Sequence, residues 1–262
     1  MPADVITVIK IGWVTITVLM FIFWVIQFVT RNAGILDLGW AMGLGILAGV
    51  YAVTLPGYPP RKVLLFTLVC FWMVRIASLI MQRLIHDPQE DRRYRQARQN
   101  GGSYFQIKLL TLFLSEAFLA VILSVPFLVI CLNHASSMAF LEYAGGVLWA
   151  VGFSGEAAAD WQLKSFKVNL ANQGKICQEG LWYYSRHPNY FFEWLMWIAY
   201  AVIALASPWG WAGIISPVIM YFFLTKVTGI PMIEEYALKT KGEAFREYTR
   251  TTSPFILLPK RR

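Results

Sequence analysis

The sequence predicts an all-α, polytopic membrane protein with seven transmembrane helices. Three observations carry that prediction. Hydrophobic residues fill 57% of 262 positions, above the ~45–50% of soluble domains. They fall in runs of roughly 20 residues, the length of a helix that crosses a bilayer core. Between the runs lie turn signals, and the basic residues gather on one side.

The spans run from Val5 to Val29, Ile35 to Leu55, Val63 to Met81, Leu109 to Leu132, Met138 to Ala159, Asn189 to Ala206 and Trp209 to Val227. The first is too long for a signal-peptide core. Its flanking Arg31 follows the run rather than preceding it, so it is read as a retained span. Connections such as Pro56-Gly57-Tyr58-Pro59, Asn100-Gly101-Gly102-Ser103 and Ser207-Pro208-Trp209-Gly210 carry turn chemistry. A membrane chain of this length forms one embedded domain over residues 1–262. Residues 1–132 give the first four spans and a charged loop, and residues 138–262 give the last three spans and a tail.

Basic residues set the orientation. With the N-terminus outside, only Arg61 and Lys62 face outward. Lys10, Arg75 and Lys226 fall in or at the ends of spans, and every other Lys and Arg is cytoplasmic. Positive-inside bias therefore accounts for the net charge of +8 without nucleic acid. Cys70, Cys131 and Cys177 are scattered and match no metal or disulfide spacing, so they read as buried apolar residues. Gly43-x-Gly45-x-x-x-Gly49 lies inside an apolar span and follows no strand. It reads as close helix packing, not a dinucleotide fingerprint. Nothing in the pattern implies a metal or a protein partner.

Ionisable residues within spans are costly and mark function by default. Asp37, Glu156, Asp160, Glu193 and Lys226 cluster toward the cytoplasmic ends and predict a shared polar cavity. Glu116 and Glu142 are expected to be interfacial residues that reach to water. Glu156, Asp160, Lys164 and Lys167 follow a four, four, three spacing that puts them on one helical face. That stripe is either a set of salt-bridged pairs or a polar wall whose basic end holds an anion. The loop from Asp87 to Arg98, with Arg93 and Tyr94, interleaves acids and arginines. Positive-inside bias and phosphate contacts explain its arginines about equally well.

The most specific segment is Gly180-Leu181-Trp182-Tyr183-Tyr184-Ser185-Arg186-His187-Pro188-Asn189-Tyr190, followed by Glu193. Pro188 suits a first helical turn, and helix N-termini attract anions. Downstream come Glu234-Glu235-Tyr236 and Tyr248 to Pro254-Phe255, where acceptors for ribose hydroxyls would be available.

These segments together resemble the superfamily of steroid 5-alpha-reductases, membrane sterol reductases and isoprenylcysteine carboxyl methyltransferase. The match looks like the bacterial branch of the reductase family. It is good over residues 140–262 and weak over the first 80. The resemblance implies a seven-helix bundle in a bacterial inner membrane, holding NADPH in a cavity open to the cytoplasm. Asp160, Lys164, Lys167, Arg186, Asn189, Tyr190, Glu193 and Tyr236 would line it, with Arg75, Arg93, Tyr94, Glu156, His187 and Glu235 as further cofactor contacts. The family polarises its substrate ketone with a Gln-Glu pair in the second span and a Tyr in the third. Here the second span reads Leu36-Asp37-Leu38-Gly39-Trp40 and the third-span position is Trp72. Asp37 stands in for the Glu, and the Gln and Tyr have no counterpart.

The expected function is NADPH-dependent reduction of the conjugated C=C bond of a lipophilic enone, a 3-oxo-Δ4 steroid by resemblance. Asp37 is the expected acid, with Trp40 and Trp72 against the substrate. The alternative is an S-adenosylmethionine-dependent membrane methyltransferase. NADPH brings phosphates and asks for Arg and Lys, whereas the sulfonium cofactor asks for acceptors and aromatic walls. A transporter would show paired halves and interrupted spans, and no repeat is present.

Overall fold

The computed structural model describes residues 4–86, 89–90 and 92–260, with only the backbone of Arg92, Arg93 and Ser103. Asp87, Pro88 and Asp91 of the charged loop, and the Arg93 side chain, lie outside the described residues. The chain is all-helical. Among the described residues five helical runs are long and apolar enough to cross a membrane: Val5–Thr30, Ala33–Thr54, Pro59–His86, Phe105–Leu132 and Gly210–Lys241.

The remaining two expected spans are helical but differ for physical reasons. Met138 to Ala159 falls in a 29-residue helix, Phe140–Val168, whose apolar character is diluted by Glu142, Glu156 and Asp160. Asn189 to Ala206 falls in Pro188–Ala204, which has 17 residues. At 1.5 Å per residue that helix is ~25 Å long, short of a ~30 Å hydrocarbon core.

The chain divides into two compact units, Met1–Ala139 with Ala204–Gly213, and Phe140–Ile203 with Ile214–Arg262. In the first, α1 (Val5–Thr30), α2 (Leu36–Thr54), α3 (Pro59–His86), the short α4 (Arg92–Asn100), α5 (Phe105–Leu123) and α6 (Val125–Leu132) follow in order. The glycine stripe does serve close packing, but toward two neighbours. A Cβ on Gly43 would lie 2.6 Å from Ile16 of α1, while one on Gly45 would meet Met73 of α3. Residues two apart on a helix point ~200° apart, so one stripe feeds two interfaces.

Outward faces of α1 and α3 carry Val14, Val18, Val25, Phe71 and Val74, all exposed as lipid-facing side chains would be. Several polar groups inside this unit are paired, while the ring nitrogen of Trp24 is buried without a hydrogen-bond partner among the described residues. Gln27 donates to Gln106 at 2.9 Å, tying α1 to α5. The Tyr51 hydroxyl meets Ser124 Oγ at 3.1 Å where α5 gives way to α6. Pro126, in the first turn of α6, cannot donate to the preceding turn and so helps end α5 there. At one end of the bundle Arg61 is 1% exposed. It donates to the carbonyls of Asn133, Ala135 and Ser137 at 2.8, 3.1 and 2.9 Å. Near the α1–α2 turn, Glu90 accepts from Ala33 N at 3.0 Å and pairs with Arg98 at 2.6 Å.

The second unit holds α7 (Phe140–Val168), the single turn α8 (Leu181–Tyr184), α9 (Pro188–Ala204), α10 (Ile215–Phe222), α11 (Ile230–Lys241) and α12 (Glu243–Thr251). Helices α7 and α9 pack antiparallel through glycines. Cβ atoms on Gly145, Gly152 and Gly155 would lie 2.5, 2.7 and 2.4 Å from Ile203, Met196 and Phe192. Trp149 donates across that interface to the Tyr200 hydroxyl at 2.9 Å. After α10 the chain makes a π turn, Phe223–Val227.

Two intramembrane acids depart from expectation. Glu116 lies eleven positions into the Phe105–Leu132 run, far from either end, and is half-buried rather than interfacial. Glu142 lies in the first turn of α7 but is fully buried. Helix packing covers it before water can reach it.

Arg61 makes the sharpest stability prediction. Arg61→Ala should cost about 2–4 kcal/mol, because it removes three charged hydrogen bonds, one of them to the buried Asn133 carbonyl. Thermal unfolding of the detergent-solubilised protein would show this as a clear drop in Tm, while Lys62→Ala should change it far less.

Candidate functional site

The second unit's site starts at Ser185. Its backbone pairs with Ser253 in an isolated parallel bridge. Ser185 Oγ donates to Phe255 O at 2.8 Å and accepts from His187 N at 3.1 Å. That bond caps the chain as it enters α9, with Pro188 at the first helical position.

Arg186 follows, and its guanidinium makes four hydrogen bonds to protein acceptors. Nε and Nη2 donate to the two Glu234 oxygens at 2.7 and 3.1 Å, a bidentate fork. Nη1 donates to the carbonyls of Thr249 and Thr252. His187 Nε2 meets Glu234 Oε1 at 3.0 Å, and its ring stacks on Tyr190. Arg186 and His187, expected to meet cofactor phosphates, therefore face a carboxylate of their own chain. Glu235, expected at the site, is exposed and pairs with Lys239 at 2.5 Å. Tyr236 is exposed as well.

The distinction between Glu234 and Glu235 follows from helix spacing. Glu234 is four residues after the buried Ile230, on the face α11 turns inward. Glu235 is four residues before Lys239, about 100° further round the helix on its solvated side. Tyr248 completes the fastening by donating to the Trp182 carbonyl. Burial, then the neighbouring Cys177 and Glu234, push its phenol well above the usual range, against a downward pull from Arg186. Burial likewise raises the Cys177 thiol.

On α7, Lys164 and Lys167 are exposed, Asp160 is half-buried and Glu156 is buried. The glycine register of α7 on α9 sets Glu156 level with the first turns of α9. There Asn189 and Glu193, one turn apart, share a face. Glu193 Oε1 accepts from Trp197 Nε1 at 2.8 Å. Asn189 Oδ1 is buried and has no hydrogen-bond partner among the described residues. Buried acceptors are rarely left so, and an absent donor is the natural explanation. Such a donor fits a ribose hydroxyl or a carboxamide N–H.

A shallow surface cavity of about 340 Å³ lies on a different face of α7, between Trp161, Phe166, Asn169 and Glu179. No lysine or arginine lines it. Beside it Gly180 adopts φ +58°, where a Cβ would strike Gln162 at 2.6 Å. Gln162 in turn accepts from Leu181 N at 2.9 Å and fixes the start of α8.

The first unit gathers the remaining expected residues except Arg93. Trp40 of α2 meets Trp72 of α3 edge-to-face at 5.6 Å. In that antiparallel register Asp37 and Arg75, three residues from each tryptophan, lie toward the same end. Tyr94 is half-buried on α4.

Sequence reasoning missed Trp197 and Gln162 as contributors, and took Glu234 with Glu235 as a cofactor acceptor rather than as the partner of Arg186. The i, i+4 relation to Ile230 would have selected Glu234. Trp197 stands in the same relation to Glu193. No sequence signal marks Gln162, because its partner is a backbone N–H from a distant turn.

The chain belongs to the family described as "Protein of unknown function (DUF1295)", whose model matches residues 23–252. No curated protein and no solved structure matches it.

Glu234→Gln should cost about 2–4 kcal/mol, since Arg186 keeps its charge in a buried site with its counter-ion removed. It should also expose α12 to limited proteolysis. Glu235→Gln should leave both the Tm and the proteolysis pattern unchanged.

Proposed function

We propose that this chain is a seven-span, NADPH-dependent reductase of the conjugated double bond in a lipophilic enone, of the steroid 5-alpha-reductase type. On this reading α7 and α9 supply the fifth and sixth spans. The N-terminus lies outside a bacterial inner membrane, and the cofactor site and C-terminus are cytoplasmic. The observation that carries the reading is the buried acceptor Asn189 Oδ1, without a partner among the described residues, one turn from Glu193. It asks for a donor that no nearby side chain provides.

The residues fit a dinucleotide. Asn189 and Glu193 would accept from ribose or carboxamide groups, and the exposed Lys164 and Lys167 would meet phosphates. Arg186 and His187 act instead through Glu234, holding the start of α9 in place. Bound there, NADPH would supply the hydride for the β-carbon of the enone. Charge then develops on the carbonyl oxygen, and Asp37 gives it a proton. Trp40 and Trp72 offer the substrate an apolar wall. The alternative, an S-adenosylmethionine-dependent methyltransferase, has its own supporting observation. Glu234 occupies Arg186 and His187, which leaves acceptors and rings (Glu156, Asn189, Glu193, Tyr190) in the majority around the start of α9.

Thermal-shift measurements on detergent-solubilised protein separate the two. NADPH should raise the Tm, and Lys164→Ala with Lys167→Ala should weaken NADPH about tenfold or more, as loss of charged hydrogen bonds does. Stabilisation by S-adenosylmethionine alone would overturn the reductase reading. With NADPH and a panel of 3-oxo-Δ4 steroids, products should gain two mass units. Asp37→Asn should reduce turnover ~10²-fold or more with cofactor binding intact; unchanged turnover removes Asp37 from the mechanism.

A further inference from the structure

The 340 Å³ cavity beside α8 serves neither the proposed cofactor nor the proposed substrate. It takes Trp161, Ser165 and Phe166 from α7, and Asn172 and Glu179 from the chain that follows. Among the described residues that line it, Glu179 is the one charged group. Parts of the wall are already fixed from within. Gln162 Oε1 accepts from Leu181 N, Asn169 Oδ1 accepts from Ala171 N at 3.0 Å, and Asn172 Nδ2 donates to Phe166 O at 3.2 Å. The Asn172 amide has therefore spent a donor and keeps its oxygen for a ligand.

Helix periodicity sets the cavity apart from the stripe of Glu156, Asp160, Lys164 and Lys167. Ser165, Phe166 and Asn169 lie on the other side of the helix from that stripe. Ser165 and Asn169 instead continue the row of Tyr143, Val147 and Val151, whose side chains are exposed. On the reading that α7 is the fifth span, this row faces lipid, and the cavity stands at its cytoplasmic foot. Trp161 comes 21 residues after the first residue of α7. At 1.5 Å per residue that is ~32 Å, just past a ~30 Å hydrocarbon core and level with lipid head groups. Trp161 on the rim and Leu170 next to Asn169 are largely exposed, as interfacial anchors are.

We propose that this cavity binds a primary ammonium group, carried on the head group of a membrane phospholipid. A primary ammonium has three N–H donors. The Glu179 carboxylate, Asn172 Oδ1 and the Ser165 hydroxyl are acceptors for them, and the rings of Trp161 and Phe166 attract the same cation through their faces. A quaternary ammonium keeps the attraction to the rings but has nothing to donate. An acidic head group meets Glu179 with no lysine or arginine in the lining to offset it. The site is therefore selective for an ethanolamine lipid and takes no part in the reaction. The inference rests on the reading of α7 as a span and is independent of which cofactor binds.

The test is isothermal titration of the full chain, solubilised in a maltoside detergent, with short-chain phospholipids. Dihexanoyl phosphatidylethanolamine should bind about tenfold or more tightly than the choline and glycerol lipids of the same chain length, and its N-acetyl derivative should not bind. Glu179→Gln should weaken the ethanolamine lipid about tenfold, and Trp161→Ala two- to fivefold, roughly the worth of an exposed ring under a cation. Glu247→Gln, which removes an exposed acid on α12, should leave the affinity as in the wild type. Equal affinity for the ethanolamine and choline lipids, an unchanged affinity in Glu179→Gln, or no binding at all each overturn the proposal. Free phosphoethanolamine separates the sources of the amine: weaker binding than the lipid supports a membrane ligand, and equal binding overturns it. Failure of the span reading shows separately. Val151→Cys labelled in intact vesicles by a membrane-impermeant thiol reagent, beyond the wild-type background, would remove α7 from the bilayer whatever the titrations give.

Discussion

The Arg186–Glu234 fork holds the second unit's candidate site in shape. One guanidinium joins the entry to α9, the inward face of α11, and the last turn of α12 with the residue after it. Without it, the segment from Ser185 to Asn189 would have no reason to adopt one position. With it, Ser185 can pair with Ser253 and Phe255, His187 is oriented by the same carboxylate, and Asn189 is delivered to the start of α9 with its acceptor unpaired. A pair this enclosed is a poor source of net stability, because both charges lose water. Its value is in fixing geometry, which is what a binding site requires.

The first unit obeys a related constraint by different means. Hydrocarbon offers no water, so each polar group must find a partner within the bundle. Gln27 finds Gln106, Tyr51 finds Ser124, and Arg61 finds three carbonyls. Most of these contacts lie near the ends of the spans, where they pin turns and breaks. Asp37 lies in the first turn of α2, whereas Arg75 and Glu116 lie within α3 and α5 among apolar neighbours.

The helical class and the spans were legible because a 20-residue apolar run has few alternatives. The glycine stripe was legible as packing, though not its division between α1 and α3, which depends on where neighbours lie around α2. The polar segment Ser185 to Glu193 was also legible as special. What sequence could not give was which charges face each other. Arg186 and His187 look like phosphate ligands until Glu234 arrives from 47 and 48 residues away. Glu235 looked equivalent to Glu234 because adjacent acids differ only in helix face. Glu116 was read as interfacial because its distance from the span end was underestimated: the helix begins at Phe105, not Leu109, and runs unbroken to Leu123.

On the proposed reading, charge balance is what bears on the cofactor class. With Glu234 paired to Arg186 and hydrogen-bonded to His187, the second unit keeps Lys164 and Lys167 as exposed cations on α7, the helix that packs on α9. Two lysines are a modest complement for a ligand with a pyrophosphate and a further phosphate, and an ample one for a ligand with none. The orphaned Asn189 acceptor, by contrast, is indifferent to phosphate and asks only for an N–H or O–H. Under either proposed cofactor, adenosine and ribose hydroxyls would account for Asn189 and Glu193. The lysines would then carry the distinction between the two proposals. Their position on the same helix as Glu156 and Asp160 means that one rigid element would read both halves of the ligand: acceptors toward its middle, cations toward its exposed end.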